Sequence, residues 1–180
     1  MLTRRALLVA TALAAAAGHA QRGAPPEANA ELPGARLHGQ GRLAFFGLPV
    51  YDARLWVRDG FAAAEWQRSP LLLELDYART LYGRQIAERS LKEVRRQSDI
   101  DDAKGERWVA EMARLYPDVR RGDRISGLYR PDGATRIFFN GTAQGDIHDA
   151  DFTRLFFGIW LSPQTSEPKL REQLLGLGAR

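Results

Sequence analysis

The sequence has no cysteine in its 180 residues. That excludes a disulfide, a thiol nucleophile, a thiolate metal site and a lipid-modified cysteine anchor. Histidine is nearly as scarce, with His19, His38 and His148 the three present. There is no Gly-x-Ser-x-Gly elbow, no Walker loop and no Gly-x-Gly-x-x-Gly after a strand. Charge of one sign is lacking too. Against 22 acidic residues stand 26 basic ones, a formal net charge of +4 that falls to +2 once Arg4 and Arg5 are set aside. No nucleic-acid footprint follows from so small an excess. No cofactor and no metal is expected.

Long hydrophobic runs are missing except at the start. MLTRRALLVATALAAAAGHA, residues 1–20, has a basic beginning, an apolar stretch too short for a membrane anchor, and small residues Gly18 and Ala20. This is the layout of a secretory signal peptide cut after Ala20, which predicts a periplasmic or secreted chain without a stable membrane anchor. Residues 21–35, rich in Pro, Ala and Glu and without periodicity, read as a disordered leader. The rest, 36–180, has the length of one domain.

Within it, Leu37–Phe46 and Val50–Val57 read as strands around a Gly47–Pro49 turn, and LLLELDY (71–77) as a third. Residues 83–97 carry Ile86, Ala87, Leu91 and Val94 on one helical side. A second helix carries Val109, Met112, Ala113 and Tyr116 and ends at Pro117. Three more strands follow: 124–130, 135–139 and one from Thr142, the last two joined by Asn140-Gly141, a strong hairpin signal. Phe152, Leu155, Phe156, Ile159 and Trp160 then recur at i, i+3, i+4, i+7, i+8, and a short helix with Leu170, Leu174 and Leu175 closes the chain. Strands and helices are grouped rather than alternating. The fold class is therefore α+β, an antiparallel sheet with helices on one face.

Few residues carry chemistry. His148-Asp149-Ala150-Asp151 stands at a helix start, where N-capping accounts for it better than a metal site. Gly39-Gln40-Gly41 reads as a glycine pair entering a strand. Arg95-Arg96 reads as a solvated face. In GRLAFFGLPVYDARLWV (41–57), a turn centred between Gly47 and Leu48 would set Tyr51 opposite Ala44, on the face of Arg42.

Residues 36–176 resemble the bacterial chalcone isomerase-like family. The resemblance rests on GQGR (39–42) with VYDARLWV (50–57), on LDYART (75–80) with GRQIAERSLKEVRR (83–96), and on TRIFFNGTAQGDI (135–147) running into DFTRLFFGIWLSP (151–163). It implies an open-faced β-sandwich, and a fold that hosts two activities in plants. One closes a chalcone to a flavanone by attack of a phenolate on an enone; the other is non-catalytic fatty-acid binding. Arg42 matches the enzyme's arginine, while its threonine falls at Tyr51, its tyrosine at or near Ile86 and its asparagine near Glu93. Tyr82 lies one helical turn before Ile86, and Thr153 falls at the late-helix hydroxyl. These departures weigh against isomerase or lyase chemistry. The resemblance implies instead a binder of a fatty acid or similar small apolar carboxylate, with Arg42, Tyr51, Tyr82 and Thr153 as ligand residues. A ligand-free accessory protein is the remaining alternative.

Overall fold

The computed structural model describes residues 23–178. The signal-peptide reading falls on residues outside these. Along the chain come α1 (Pro26–Glu31), β1 (Arg36–Phe45), β2 (Leu48–Val57), a 3-10 turn at Ala63–Arg68, and β3 (Leu71–Tyr77). Then follow α2 (Gly83–Val94), α3 (Asp102–Leu115), β4 (Arg124–Arg130), β5 (Ala134–Phe139), β6 (Thr142–His148), α4 (Ala150–Leu161) and α5 (Pro168–Leu175). The six strands form one antiparallel sheet in sequence order. The expected α+β class with an antiparallel sheet and helices is the observed one.

Two of the hairpins are closed by two-residue turns with left-handed backbone at both central positions. Phe46 and Gly47 have φ of 49° and 76°, and Asn140 and Gly141 have 49° and 86°. Such turns match the right-handed twist of the flanking strands. The Asn-Gly signal was legible, but the first turn lies earlier than Gly47–Pro49, so Leu48 and Pro49 belong to β2.

The inner face of the sheet carries Ala53, Leu55 and Val57 of β2 beside Leu71, Leu73, Leu75 and Tyr77 of β3, all buried. Against it lies α4, in which Phe152, Leu155, Phe156, Phe157, Ile159 and Trp160 are all buried. Its start is fixed by Asp149, whose carboxylate accepts from Phe152 N at 2.9 Å and from Trp108 Nε1 at 2.9 Å. That is N-capping, and His148 beside it points to solvent. Helix α5 sits over β1. A Cβ on Gly39 would lie 2.3 Å from the carbonyl oxygens of Gln173 and Leu174, so only glycine lets that helix backbone approach. The glycine pair is thus the seat of α5.

The disordered-leader reading of 21–35 is corrected over its second half. Helix α1 packs on the outer face of the sheet, where Ala28 and Leu32 join Trp56, Leu72, Leu128 and Phe138 in a second apolar cluster. Glu27, its side chain fully buried, accepts from Arg124 Nη2 at 3.0 Å and Ser126 Oγ at 2.8 Å. Glu31 takes Arg136 at 2.8 Å and Arg130 at 3.1 Å. A six-residue helix is too short to be read from periodicity, and marginal without tertiary contacts. Outer-face arginines and apolar side chains hold it.

Candidate ligand-binding site

The four ligand residues expected from the sequence are not brought together. Arg42 lies opposite Asp52 on the outer face, and its guanidinium grips that carboxylate through Nε at 2.6 Å and Nη2 at 3.0 Å. Its side chain is 60% exposed. Tyr51 lies opposite Leu43 and Tyr77, on the inner face. The expectation that Arg42 and Tyr51 share a face is corrected, and a bulge is the reason. The turn at Phe46–Gly47 pairs Ala44 with Pro49, but the next pair is Leu43 with Tyr51, so β2 carries one extra residue, Val50. One residue of slip moves every later side chain to the other face. Tyr82 is the exposed residue before α2. Thr153 is buried with its hydroxyl committed: it accepts from Thr135 Oγ1 at 2.9 Å and donates to Gly133 O at 3.2 Å. It ties α4 to the sheet.

What does converge is a set of phenols, of which Tyr51 alone was among the expected ligand residues. Tyr51 and Tyr77 meet edge to face, ring centroids 5.9 Å apart, near the start of β2 and at the end of β3. Tyr51 Oη accepts from Trp160 Nε1 of α4 at 2.9 Å and keeps its own proton to donate. Tyr116, at the end of α3, lies near enough to Tyr77 for ionisation of one to oppose ionisation of the other. The hydroxyls of Tyr77 and Tyr116 have no hydrogen-bond partner among the described residues, whereas Tyr129 in the same core donates to Gln67 O at 2.9 Å. Every fully buried side-chain nitrogen or oxygen among the described residues does have a partner. The two free hydroxyls therefore border space that water can reach, although both residues are nearly buried. A signal existed in the sequence: polar-tipped tyrosines at core-facing positions.

Electrostatics keep these groups neutral. Burial raises the pKa of Tyr51, Tyr77 and Tyr116 well above that of free tyrosine. For Tyr51 the hydrogen bond from Trp160 opposes this, the carboxylates of Glu167 and Glu93 add to it, and Arg89 works against it. The three are thus hydrogen-bond donors, not bases, at neutral pH. Glu93 itself is buried against Arg89 at 2.7 Å.

One row of the sheet away lies an apolar cavity of about 20 Å³. The sheet side is Leu73, Leu75, Ile125, Gly127 and Ile137; the helix side is Phe156, Phe157 and Trp160. Trp160 joins the two features, since it lines the cavity and donates to Tyr51. The free space is room for about one water. A wider groove of about 460 Å³ runs between α2 and α3, but Arg84, Asp102, Glu106 and Arg95 line it beside Leu91, Val109 and Ala110, and Arg95 and Asp102 pair in it at 2.7 Å.

Residues 24–176 match the family model described as chalcone isomerase-like. The chain belongs to the chalcone isomerase-like family. The solved structure of a fatty-acid binding protein of Arabidopsis thaliana superimposes with a TM-score of 0.61 at 15% identity, over 79% of this chain and 87% of that one. At that identity the likeness is one of fold. An uncharacterized protein of Haemophilus influenzae is 31% identical over 107 residues, which are 59% of this chain; the chain spans about half of that relative, 52% of its length. In this chalcone isomerase-like chain, Ile86 packs on the core and Glu93 is held by Arg89, so neither position presents a free polar group to the cavity.

Proposed function

We propose that the chain binds a fatty acid or a similar small apolar carboxylate without converting it, and that it does so outside the cytoplasm. The observation that carries the reading is the pair of nearly buried, unpartnered hydroxyls of Tyr77 and Tyr116 beside an apolar cavity. An acyl tail would lie between the inner face of the sheet and α4, with its polar end among Tyr51, Tyr77 and Tyr116. A hydrogen bond to a charged group contributes roughly 1.5–3 kcal/mol, enough for each phenol to matter. The fold likeness to a protein described as fatty-acid binding supports the reading. Arg42 has no part in it, because its guanidinium is spent on Asp52 on the other face. Around Tyr51, Glu167 and Glu93 disfavour a further negative charge and Arg89 favours it. A tail also needs more than the present space, so Phe156 and Trp160 swing aside on binding.

The test is a calorimetric titration of delipidated protein with palmitic acid and with its methyl ester. The acid binds more tightly; Tyr77→Phe weakens it about tenfold, since one lost hydrogen bond of ~1.4 kcal/mol is a decade; Arg42→Ala leaves it unchanged. No heat with any acid overturns the proposal. A second reading has one observation in its favour, the small cavity. If the core stays closed, the chain is a ligand-free accessory protein, and the titration stays flat. Export rests on the basic start and apolar stretch of residues 1–20.

A further inference from the structure

Solvent-exposed large apolar side chains are few among the described residues, and three of the five lie together. Phe45 is 64% exposed, Phe46 90% and Leu48 61%, all at the tip of the β1–β2 hairpin. The rings of Phe45 and Phe46 touch edge to face at 4.5 Å, so they form one wedge. A fourth, Tyr82, is also at this end of the sheet: Leu81 bridges to Val119, and the 120–123 loop bonds the end of β3. The hairpin overhangs its neighbour. The last bond to the β3 side is Ala78 N to Val50 O at 2.9 Å, and two to three residues of β2 and the turn extend beyond it. At about 3.3 Å per residue the wedge stands roughly 7–10 Å proud.

Around its base lie Arg79, one residue past that bond, and Arg120 and Arg121, carried by a loop whose Gly122 N donates to Tyr77 O at 2.8 Å. All three arginines are exposed, and none makes an ion pair among the described residues. Of the carboxylates near them, Asp52 is paired with Arg42, while Asp123 accepts from Asn140 Nδ2 and Arg120 N and Asp118 from Gly83 N, neutral donors that leave both charged. This end thus presents an apolar wedge beside three arginines, which outnumber the two carboxylates, Asp118 and Asp123, that lie unpaired by another cation among them.

We propose that the β1–β2 hairpin tip docks the protein on an anionic lipid surface, with Phe45, Phe46 and Leu48 entering the acyl boundary and Arg79, Arg120 and Arg121 at the headgroups. The depth agrees with the ~5–10 Å that interfacial elements reach. A protein partner fits the area less well. Two partly exposed phenylalanines and a leucine offer roughly 400 Å², about half of the ~800 Å² each side of a stable complex buries. The inference does not depend on the cavity holding an acid, although the tip adjoins Tyr51 and would set that end of the cavity against the lipid.

The experiment is co-sedimentation of the full chain with vesicles of phosphatidylethanolamine and phosphatidylglycerol, and with vesicles of phosphatidylcholine alone. The wild type partitions onto the anionic vesicles and is released by salt. Phe45→Ser with Phe46→Ser weakens partitioning at least tenfold, with the melting temperature and palmitic acid affinity in lipid-free buffer unchanged. Arg79→Gln, Arg120→Gln and Arg121→Gln together abolish the preference for anionic lipid, each arginine contributing about fivefold. The four tryptophans Trp56, Trp66, Trp108 and Trp160 are buried, so the emission of a Phe46→Trp variant reports on the tip. It shifts to the blue on anionic vesicles and is quenched by brominated acyl chains. Equal sedimentation of wild type and the double serine variant overturns the proposal. So does an unshifted Phe46→Trp emission, or a concentration-dependent dimer that the serine variant loses.

Discussion

Replacing Glu27 with glutamine tests whether α1 is part of the fold or a tail resting on it. The carboxylate has no exposure and accepts three hydrogen bonds, two from Arg124 at 3.0 and 3.2 Å and one from Ser126 at 2.8 Å. Glutamine keeps the shape and removes the charge, leaving Arg124 with Glu74 at 4.0 Å as its other carboxylate. Breaking a buried pair from one side costs about 3–5 kcal/mol. A quarter of the Arg124 side chain still meets water and Glu74 remains near, which brings the expected loss to about 2–3 kcal/mol. In a domain of this size each kcal/mol lowers Tm by about 2–4 °C, so the midpoint falls by roughly 4–12 °C. Thermal denaturation followed by circular dichroism measures it, with Glu65→Gln, which touches only the surface pair Glu65–Arg68, as the control. If Glu27→Gln melts like that control, α1 contributes nothing to stability and the second cluster is incidental.

Phe156→Ala removes a buried ring that contacts Phe152, Phe157 and Trp160, at a cost of about 3–5 kcal/mol, while Arg154→Ala on the exposed side stays near wild type; equal denaturation midpoints would mean α4 does not pack as described. Stability has an alkaline limit set by Tyr51, Tyr77 and Tyr116. Their pKa values are raised in the fold, so their contribution is complete below the unfolded value of about 10 and is lost as pH rises through that value toward the folded ones. A denaturation midpoint that does not fall between pH 9 and 11 would contradict the burial of these phenols. N-terminal sequencing of protein recovered from the exported fraction gives Gln21; an intact Met1 there removes the export proposal.

The parts of the fold that were legible are those that repeat. The i, i+3, i+4 spacing from Phe152 to Trp160 gave α4 and its buried side, though not that Phe157 and Leu161 are buried as well. Asn140-Gly141 gave its hairpin. The site was less legible because it depends on parity. One extra residue at Val50 decides whether Tyr51 looks toward Arg42 or toward Trp160, and nothing in VYDARLWV marks a bulge. Tyr77 and Tyr116 come from elements 39 residues apart in sequence and meet only through packing at one end of the sheet. Helix α1 was missed for a similar reason. Its hold lies in Arg124, Ser126, Arg130 and Arg136, about a hundred residues away.

Native mass spectrometry of the delipidated protein with an equimolar long-chain acid tests the binding claim most directly. The account predicts one added mass per chain for palmitic acid, little for its methyl ester, and a clear loss of the adduct in Tyr77→Phe but not in Arg42→Ala. An adduct that depends on Arg42 and ignores Tyr77, or no adduct with any acid from eight to eighteen carbons, would contradict it.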